Sequence, residues 1–184
     1  MGKARESGMG AGKGADVGER MARWTRRINA IIAAVLVVAF SGHALLASAA
    51  GVQAPLLAPI PLLLGLLVLV AAHVALSIAT TVIMWRDTVR PPSRKKKRHQ
   101  ILKWVTGVVL LAVLTVHVLH PAVAPIVIWS ASALLLAAFA WHVWTGMKSL
   151  ARDLRLPGNA KVPLRIVLCA LALVALVVMV ATRI

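Results

Sequence analysis

Acidic side chains are scarce in this chain of 184 residues, which has five Asp and Glu against 21 Lys and Arg. Tyrosine is absent, cysteine occurs once and only 14% of the residues are charged, whereas 60% are hydrophobic and the mean hydropathy is +0.88. So few polar groups cannot cover the surface of a water-soluble globule. The composition therefore excludes a soluble domain and predicts a protein of the lipid bilayer.

Several kinds of chemistry lack the residues they need. The lone Cys169 lies in an apolar stretch, where it can form neither an intramolecular disulfide nor a cluster of thiolate ligands. No glycine-rich phosphate loop, nucleophile elbow or carboxylate pair occurs in the sequence. The chain therefore lacks recognisable machinery for a reaction on a soluble substrate, and whether it is itself an enzyme stays open.

Three long stretches contain no charged side chain at all: residues 28–85, 104–147 and 166–182. Because a helix crosses a bilayer with about 20 apolar residues, these stretches have room for two, two and one spans. Glycine and proline residues at 51–61 and 121–125 separate the spans within the first two stretches. We expect an all-α integral membrane bundle of five transmembrane helices, at residues 28–50, 59–85, 102–121, 125–147 and 163–182.

Positive charge lies almost entirely on one side of these spans. The N-terminal tail has seven Lys and Arg, the segment after the second helix has eight, and the segment after the fourth has five, against Arg183 alone on the other side. Positive segments are retained in the cytoplasm. We therefore expect a multi-pass protein of the inner (cytoplasmic) membrane, with its N-terminus in and its C-terminus out.

This topology divides the chain into a flexible basic cytoplasmic tail, residues 1–22, and a transmembrane domain, residues 23–184. The Arg and Lys run at 94–98 could form a nucleic-acid patch, but it stands beside a span. Topology and anionic lipid headgroups explain it better. We therefore expect membrane lipids, and no nucleic acid, as partners.

Histidine recurs inside the expected spans, where five of the six lie: His43, His73, His117, His120 and His142. An unpartnered imidazole in hydrocarbon is costly, and the spans contain no acid to pair with it. One such histidine could simply pack between helices, but four successive helices each carry one. A haem iron needs two axial ligands on opposite faces of a flat apolar ring. The pattern therefore predicts two b-type haems.

Depth in the membrane suggests the outer ligand pair. At 1.5 Å per residue, His43 lies roughly 24 Å from the cytoplasmic Arg27, and His117 lies roughly 21 Å from Lys103. These two histidines therefore share an outer tier. His120 follows His117 by one turn on the same helix face, so it could replace His117 as a ligand or line a site at the outer surface.

The remaining histidines, His73 and His142, form the expected inner pair. Their depths match less well, because His73 is roughly 20 Å from Arg86 whereas His142 is roughly 9 Å from Lys148. Helix two would have to tilt or to project past the headgroups.

The segments that carry these histidines occur in a characteristic order: GHALLAS at 42–48, His73, WVTG at 104–107 leading to His117, and HVWTGM at 142–147 with Asp153 beyond it. Over about residues 24–184 the chain resembles a family, the cytochrome b membrane subunit of succinate dehydrogenases and fumarate reductases. The resemblance is to the single-subunit, five-helix type that holds two haems. One histidine on each of the first four helices and none on the fifth is similar to that family as well.

The resemblance implies that His43 and His117 hold a distal haem, and that His73 and His142 hold a proximal one. It further implies a flavoprotein with covalently bound FAD and an iron–sulfur subunit on the cytoplasmic face, a quinone substrate, typically menaquinone, and it leaves a dimer of complexes open. Dicarboxylate chemistry would belong to those partners. Polar candidates for an outer quinone site are Ser48, Gln53 and His120.

Two other functions fit the same residues. A self-contained transmembrane cytochrome resembling the b561 type would also pair histidines across four helices, and it would pass electrons across the membrane without soluble subunits. A structural anchor or transporter without haem would require every one of these histidines to be a packing residue. The rarity of ionisable groups in spans weighs against that last alternative.

Overall fold

The computed structural model describes residues 9–50, 60–86, 91–119 and 125–181, in which no strand occurs. A single 3₁₀ turn, Gly158–Ala160, precedes the last helix. There are five α-helices in this part of the chain: α1 Met9–Ala50, α2 Ile60–Arg86, α3 Arg94–Leu119, α4 Pro125–Asp153 and α5 Lys161–Ala181. The all-α expectation is confirmed for these residues.

Four of the helices are long and apolar enough to cross a bilayer, with spanning segments at Gly18–Leu46, Leu64–Arg86, Arg94–Val118 and Ser130–Asp153. A helix pairs its backbone N–H and C=O groups internally, which is the condition for crossing hydrocarbon. The chain is therefore a multi-pass membrane protein. α5 is short, with 21 residues, and a fifth span at residues 163–182 stays a prediction.

Large apolar side chains point away from the bundle and small ones point into it. Val38 is 72% exposed and Val68 is 67% exposed, which suits contact with lipid tails. The interior contains Ala30, Ala138 and Ala151, each at most 6% exposed. Small residues let neighbouring helices approach closely, and this close packing replaces the hydrophobic effect inside a membrane.

α1 begins earlier than the hydropathy pattern predicts. The sequence predicts a flexible tail over residues 1–22, whereas residues 9–22 belong to α1. Arg23 donates to Glu19 one turn earlier at 2.9 Å, which is a favourable i,i+4 pair on a helix surface. The apolar pattern marks only the part of a helix that enters the membrane, so it misses a polar extension.

α3 also begins before its apolar part, at Arg94 instead of residue 102. Pro91 and Pro92 stand just before it, and the Ser93 hydroxyl accepts a hydrogen bond from the backbone N–H of Lys96 at 3.4 Å. Serine is a favoured N-cap, and Lys and Arg are good helix formers. The basic run is therefore the first turn and a half of a helix, and not a loop.

α4 extends to Asp153, six residues past its predicted end at 147. It stops at a turn in which the Leu156 N–H bonds to the Ala151 carbonyl at 2.9 Å and the Arg155 N–H bonds to the Arg152 carbonyl at 3.0 Å. Arg155 takes a φ of 57° there, the left-handed conformation that ends many helices. This turn leads the chain to the 3₁₀ segment and α5.

The centre of the bundle is formed by α1 and α4. α1 packs against α2, α4 and α5, and α4 packs against α3 and α5. Among the described residues, α2 packs closely only against α1. Side chains, and not closely packed backbones, therefore fill the space between α2 and the α3–α4 pair.

The basic ends of three helices lie together at one end of the bundle. Gln100 near the start of α3 donates to Thr81 near the end of α2 at 2.9 Å, and Lys103 of α3 donates to Ser149 of α4 at 2.9 Å. Because positive ends are retained in the cytoplasm, we predict that this end faces inward.

Single cysteines in a Cys169→Ser background test that orientation. Gly18 and Gly158 have open space where a side chain would stand, so Gly18→Cys and Gly158→Cys should be tolerated. A membrane-impermeant maleimide should label a Gln53→Cys variant in intact cells, and the two glycine variants only after permeabilisation. The reverse labelling pattern would contradict the assigned orientation.

Candidate functional site

Two of the intramembrane histidines face each other across the gap between α2 and α4. The ring centroids of His73 and His142 are 6.5 Å apart, and the ring planes stand at 85°. The contact between the rings puts the two histidines at one level of the bundle, whereas counting residues from Lys148 makes His142 the shallower of the two.

Hydrogen bonds orient the His142 ring. The Thr106 hydroxyl lies 3.1 Å from the Lys103 carbonyl and 3.0 Å from Nδ1 of His142. The hydroxyl donates to the Lys103 carbonyl, so its oxygen is available to accept from the imidazole. We therefore assign the proton of His142 to Nδ1, which leaves the lone pair of Nε2 free to bind a ligand.

Close packing against α3 reinforces this arrangement. Thr106 is 1% exposed and Thr145 is 8% exposed, with their hydroxyls 3.3 Å apart, and Thr145 also donates to the His142 carbonyl at 2.9 Å. A Cβ on Gly107 would come within 3.2 Å of Cε1 of His142. The Thr-Gly pair at 106–107 therefore holds the imidazole by one hydrogen bond and leaves space for its edge.

The environment of His73 is polar but incompletely paired. Its Nδ1 is buried without a hydrogen-bond partner, and so is Oδ1 of Asn29. The Asn29 amide donates to Ser77 at 3.2 Å, and the backbone of Asn29 lies within hydrogen-bonding reach of the His73 ring. An unpaired buried polar atom is costly in hydrocarbon. His73 thus has a buried ring nitrogen that no described group satisfies.

A cation lies on the basic side of this pair. Lys103 is half-buried, one turn before Thr106, and its Nζ donates to the Ser149 hydroxyl at 2.9 Å. The nearest acid described is Asp153, whose carboxylate bonds to Arg152 at 3.0 Å. The ammonium group of Lys103 therefore has a neutral hydroxyl as its hydrogen-bond partner, and it favours anionic groups in its vicinity.

The other two predicted ligands lie further along the bundle. His43 is exposed and His117 is half-buried, and the two rings are close enough to interact electrostatically. From Thr106 to His117, α3 rises about 16 Å. The structure thus brings His73 and His142 together, and it puts His43 within electrostatic range of His117. That His43 and His117 form the outer pair of ligands stays a prediction.

An aromatic contact lies between the two histidine pairs. Phe40 and Phe139, the only phenylalanines of the chain, have ring centroids 5.8 Å apart at an angle of 42°. Phe40 precedes His43 by one turn of α1, and Phe139 precedes His142 by one turn of α4. Because α1 and α4 run in opposite directions, these offsets put both rings in the layer between the pairs.

The predicted polar candidates at the outer end cannot be placed. Gln53 and His120 lie outside the described residues, and so does the side chain of Ser48.

His73 and His142 are the described residues that could hold a metal ion between them. Metal–nitrogen bonds of about 2 Å on either side of an ion put the ring centroids roughly 6 Å apart, close to the 6.5 Å between His73 and His142. No group of three or more His, Cys, Asp or Glu side chains occurs in the described part. Two facing imidazoles are the donor set of a haem that supplies the remaining ligands itself.

Comparison with protein-family models, with curated proteins and with solved structures finds no match to this chain. The family resemblance therefore depends on the residues and their order.

The sequence patterns predict the histidines of this site but not the residues that support them. Thr106, Thr145 and Asn29 are polar residues in or beside apolar spans, and this is the signal that could have identified them. The contact from Thr106 to His142 joins positions 36 residues apart. Hydropathy and helical periodicity describe one helix at a time, so neither can reveal such a contact.

Replacing Gly107 with a β-branched residue tests the packing of His142. Gly107→Val should push the imidazole from its place and lower the free energy of unfolding by about 1–3 kcal/mol, as overpacking does. Gly65→Val is the matched control, because nothing lies within 4 Å of a Cβ there. Thermal unfolding of the two purified proteins, followed by circular dichroism, should show a lower midpoint only for Gly107→Val. Equal midpoints would contradict the contact.

Proposed function

We propose that this chain is a di-haem b membrane anchor of the succinate dehydrogenase and fumarate reductase type. It transfers electrons between a membrane quinone, menaquinone by resemblance, and a cytoplasmic flavoprotein with its iron–sulfur subunit. The observation that carries this proposal is the facing pair of His73 and His142, with one nitrogen unpaired and the other ring oriented by Thr106. The ordered sequence motifs support the same assignment.

His73 and His142 would hold the inner haem, and His43 and His117 the outer one. When bound, each haem supplies an iron that can gain and lose one electron. Thr106 holds the imidazole of His142 in the tautomer that a metal ligand needs, and such supporting hydrogen bonds raise the basicity of the ligand. Lys103 would offset the negative charge of the carboxylates that a haem carries.

The residues between the pairs exclude water and keep the pairs apart. Phe40 and Phe139 fill this layer with apolar surface, and residues 28–85 and 104–147 contain no acid that could form a proton relay. The chain's own contribution is thus to bind, separate and shield two redox centres. Quinone protonation would require a site open to water, for which Ser48, Gln53 and His120 remain the outer candidates.

The basic end of the bundle would serve as the docking surface for soluble subunits. Arg94 to Arg98 form the exposed first turns of α3, and Arg152 lies near the end of α4. Complementary charge accelerates association and fixes orientation. The dicarboxylate reaction itself would occur in the partner, because this sequence contains no site for it.

Haem content tests the ligand assignment. The purified chain should contain two non-covalent b-type haems, and acid acetone should extract both. Replacing any one predicted ligand by alanine should reduce the content to one, because iron loses an axial ligand that hydrocarbon cannot replace. Pyridine haemochrome spectra measure this number for four variants: His43→Ala, His73→Ala, His117→Ala and His142→Ala.

His99→Ala is the matched control for these variants. His99 lies in the exposed basic part of α3, so its replacement should leave two haems per chain. Two haems retained by His142→Ala would overturn the inner assignment. If His120→Ala loses a haem while His117→Ala retains both, then His120, and not His117, is the ligand on the third helix.

Co-purification distinguishes the two redox functions. A tagged chain extracted from its native membrane in mild detergent should co-purify with an iron–sulfur protein and with a flavoprotein that has covalently bound FAD. Reversing the charges of Lys95, Lys96 and Lys97 to glutamate should weaken that recovery, most strongly at low salt, where the charges are least screened. A haem-loaded chain that always purifies alone would favour the self-contained cytochrome instead.

A further inference from the structure

An apolar groove runs between α2 and α3 at the basic end of the bundle. Its volume is about 350 Å³, and no histidine lines it. Its walls are formed by Ile78, Val82 and Trp85 of α2 and by Ile101 and Val105 of α3. Each of these wall residues is between 39% and 53% exposed, so the groove is open along its length.

The floor of the groove is a hydrogen-bonded bridge that keeps the helices at a fixed separation. Thr81 is 5% exposed and its hydroxyl donates to the Ser77 carbonyl at 2.7 Å. The same oxygen accepts from the Gln100 amide at 2.9 Å and from Nε1 of Trp104 at 3.2 Å. Because these donors are already used inside the protein, the groove offers an apolar surface to an occupant. Its shape and chemistry suit a hydrocarbon chain.

Positive charge continues the groove toward the membrane surface. On α3, residues 94, 97 and 98 lie one or two turns before Ile101 and share its face, because i+3, i+4 and i+7 positions align on a helix. Lys95 and Lys96 point to other sides of the same helix by this spacing. Arg86 ends α2 beside the groove, one residue after Trp85, and is exposed.

We propose that this groove binds an anionic phospholipid of the leaflet at the basic end. One acyl chain lies along the five wall residues, and the phosphate lies among Arg86, Arg94, Lys97 and Arg98. Basic pockets between transmembrane helices on the cytoplasmic side bind acidic headgroups in this way. A quinone fits less well, because it has no charge for the cations and its polar ring finds the floor donors occupied. The proposal does not depend on haem binding.

The charged half of the site has a matched control on the same helix turn. Lys97→Gln/Arg98→Gln removes two cations from the groove face, and Lys95→Gln/Lys96→Gln removes two from the other faces. Native mass spectrometry of the detergent-solubilised protein titrated with phosphatidylglycerol measures lipid binding. Each cation near an anionic headgroup strengthens binding roughly fivefold. The first variant should therefore bind roughly 25-fold more weakly, and the second should resemble the unaltered protein.

The apolar half is tested by filling the groove. Val105→Trp should reduce phosphatidylglycerol binding, whereas Val108→Trp, at a 60% exposed position outside the groove, should leave it unchanged. Size-exclusion chromatography checks that both variants are folded. The site would be wrong if the two charge variants weakened phosphatidylglycerol binding equally. It would also be wrong if the unaltered protein bound phosphatidylcholine as tightly as phosphatidylglycerol. Displacement of the lipid by a water-soluble menaquinone analogue would make it a quinone site instead.

Discussion

The hydrogen bond between Thr106 and His142 determines how the inner half of this bundle is organised. An imidazole inside hydrocarbon needs a partner for each ring nitrogen, and Thr106 provides one for Nδ1 at 3.0 Å. Gly107 makes space for the ring edge, and Thr145 ties the same threonine to α4. His142 therefore points across the bundle toward His73 with its second nitrogen unused.

Small residues at the contact between α3 and α4 explain the uneven packing of the helices. α3 and α4 lie close together because Thr106, Gly107 and Thr145 are small enough to let them meet. α2 packs closely only on α1 among the described residues, and polar side chains connect it to the remaining helices. Asn29 links it to α1 through Ser77, and Thr81 links it to α3. The two histidines face each other in this region, where side chains and not closely packed backbones join α2 to α4.

Hydropathy and charge predict much of this fold because the bilayer imposes length and polarity on each helix separately. Four spans agree with that reasoning, whereas the true starts of α1 and α3 do not, because polar helical turns outside the membrane leave no hydropathy signal. That His73 pairs with His142 follows from the sequence only as the remaining pair and from the family resemblance, because the depth count puts the two histidines at different levels. The roles of Thr106 and Lys103 do not, because they depend on which faces of α3 and α4 meet.

The central claim is that His73 and His142 are axial ligands of one haem, and near-infrared magnetic circular dichroism of the oxidised protein tests it most directly. This spectrum identifies the pair of axial ligands on low-spin ferric haem. The account predicts two low-spin haems with bis-imidazole ligation, and only one such haem in His73→Ala. A purified, folded protein without haem would contradict it, and so would a His73→Ala spectrum that keeps both bis-imidazole signals.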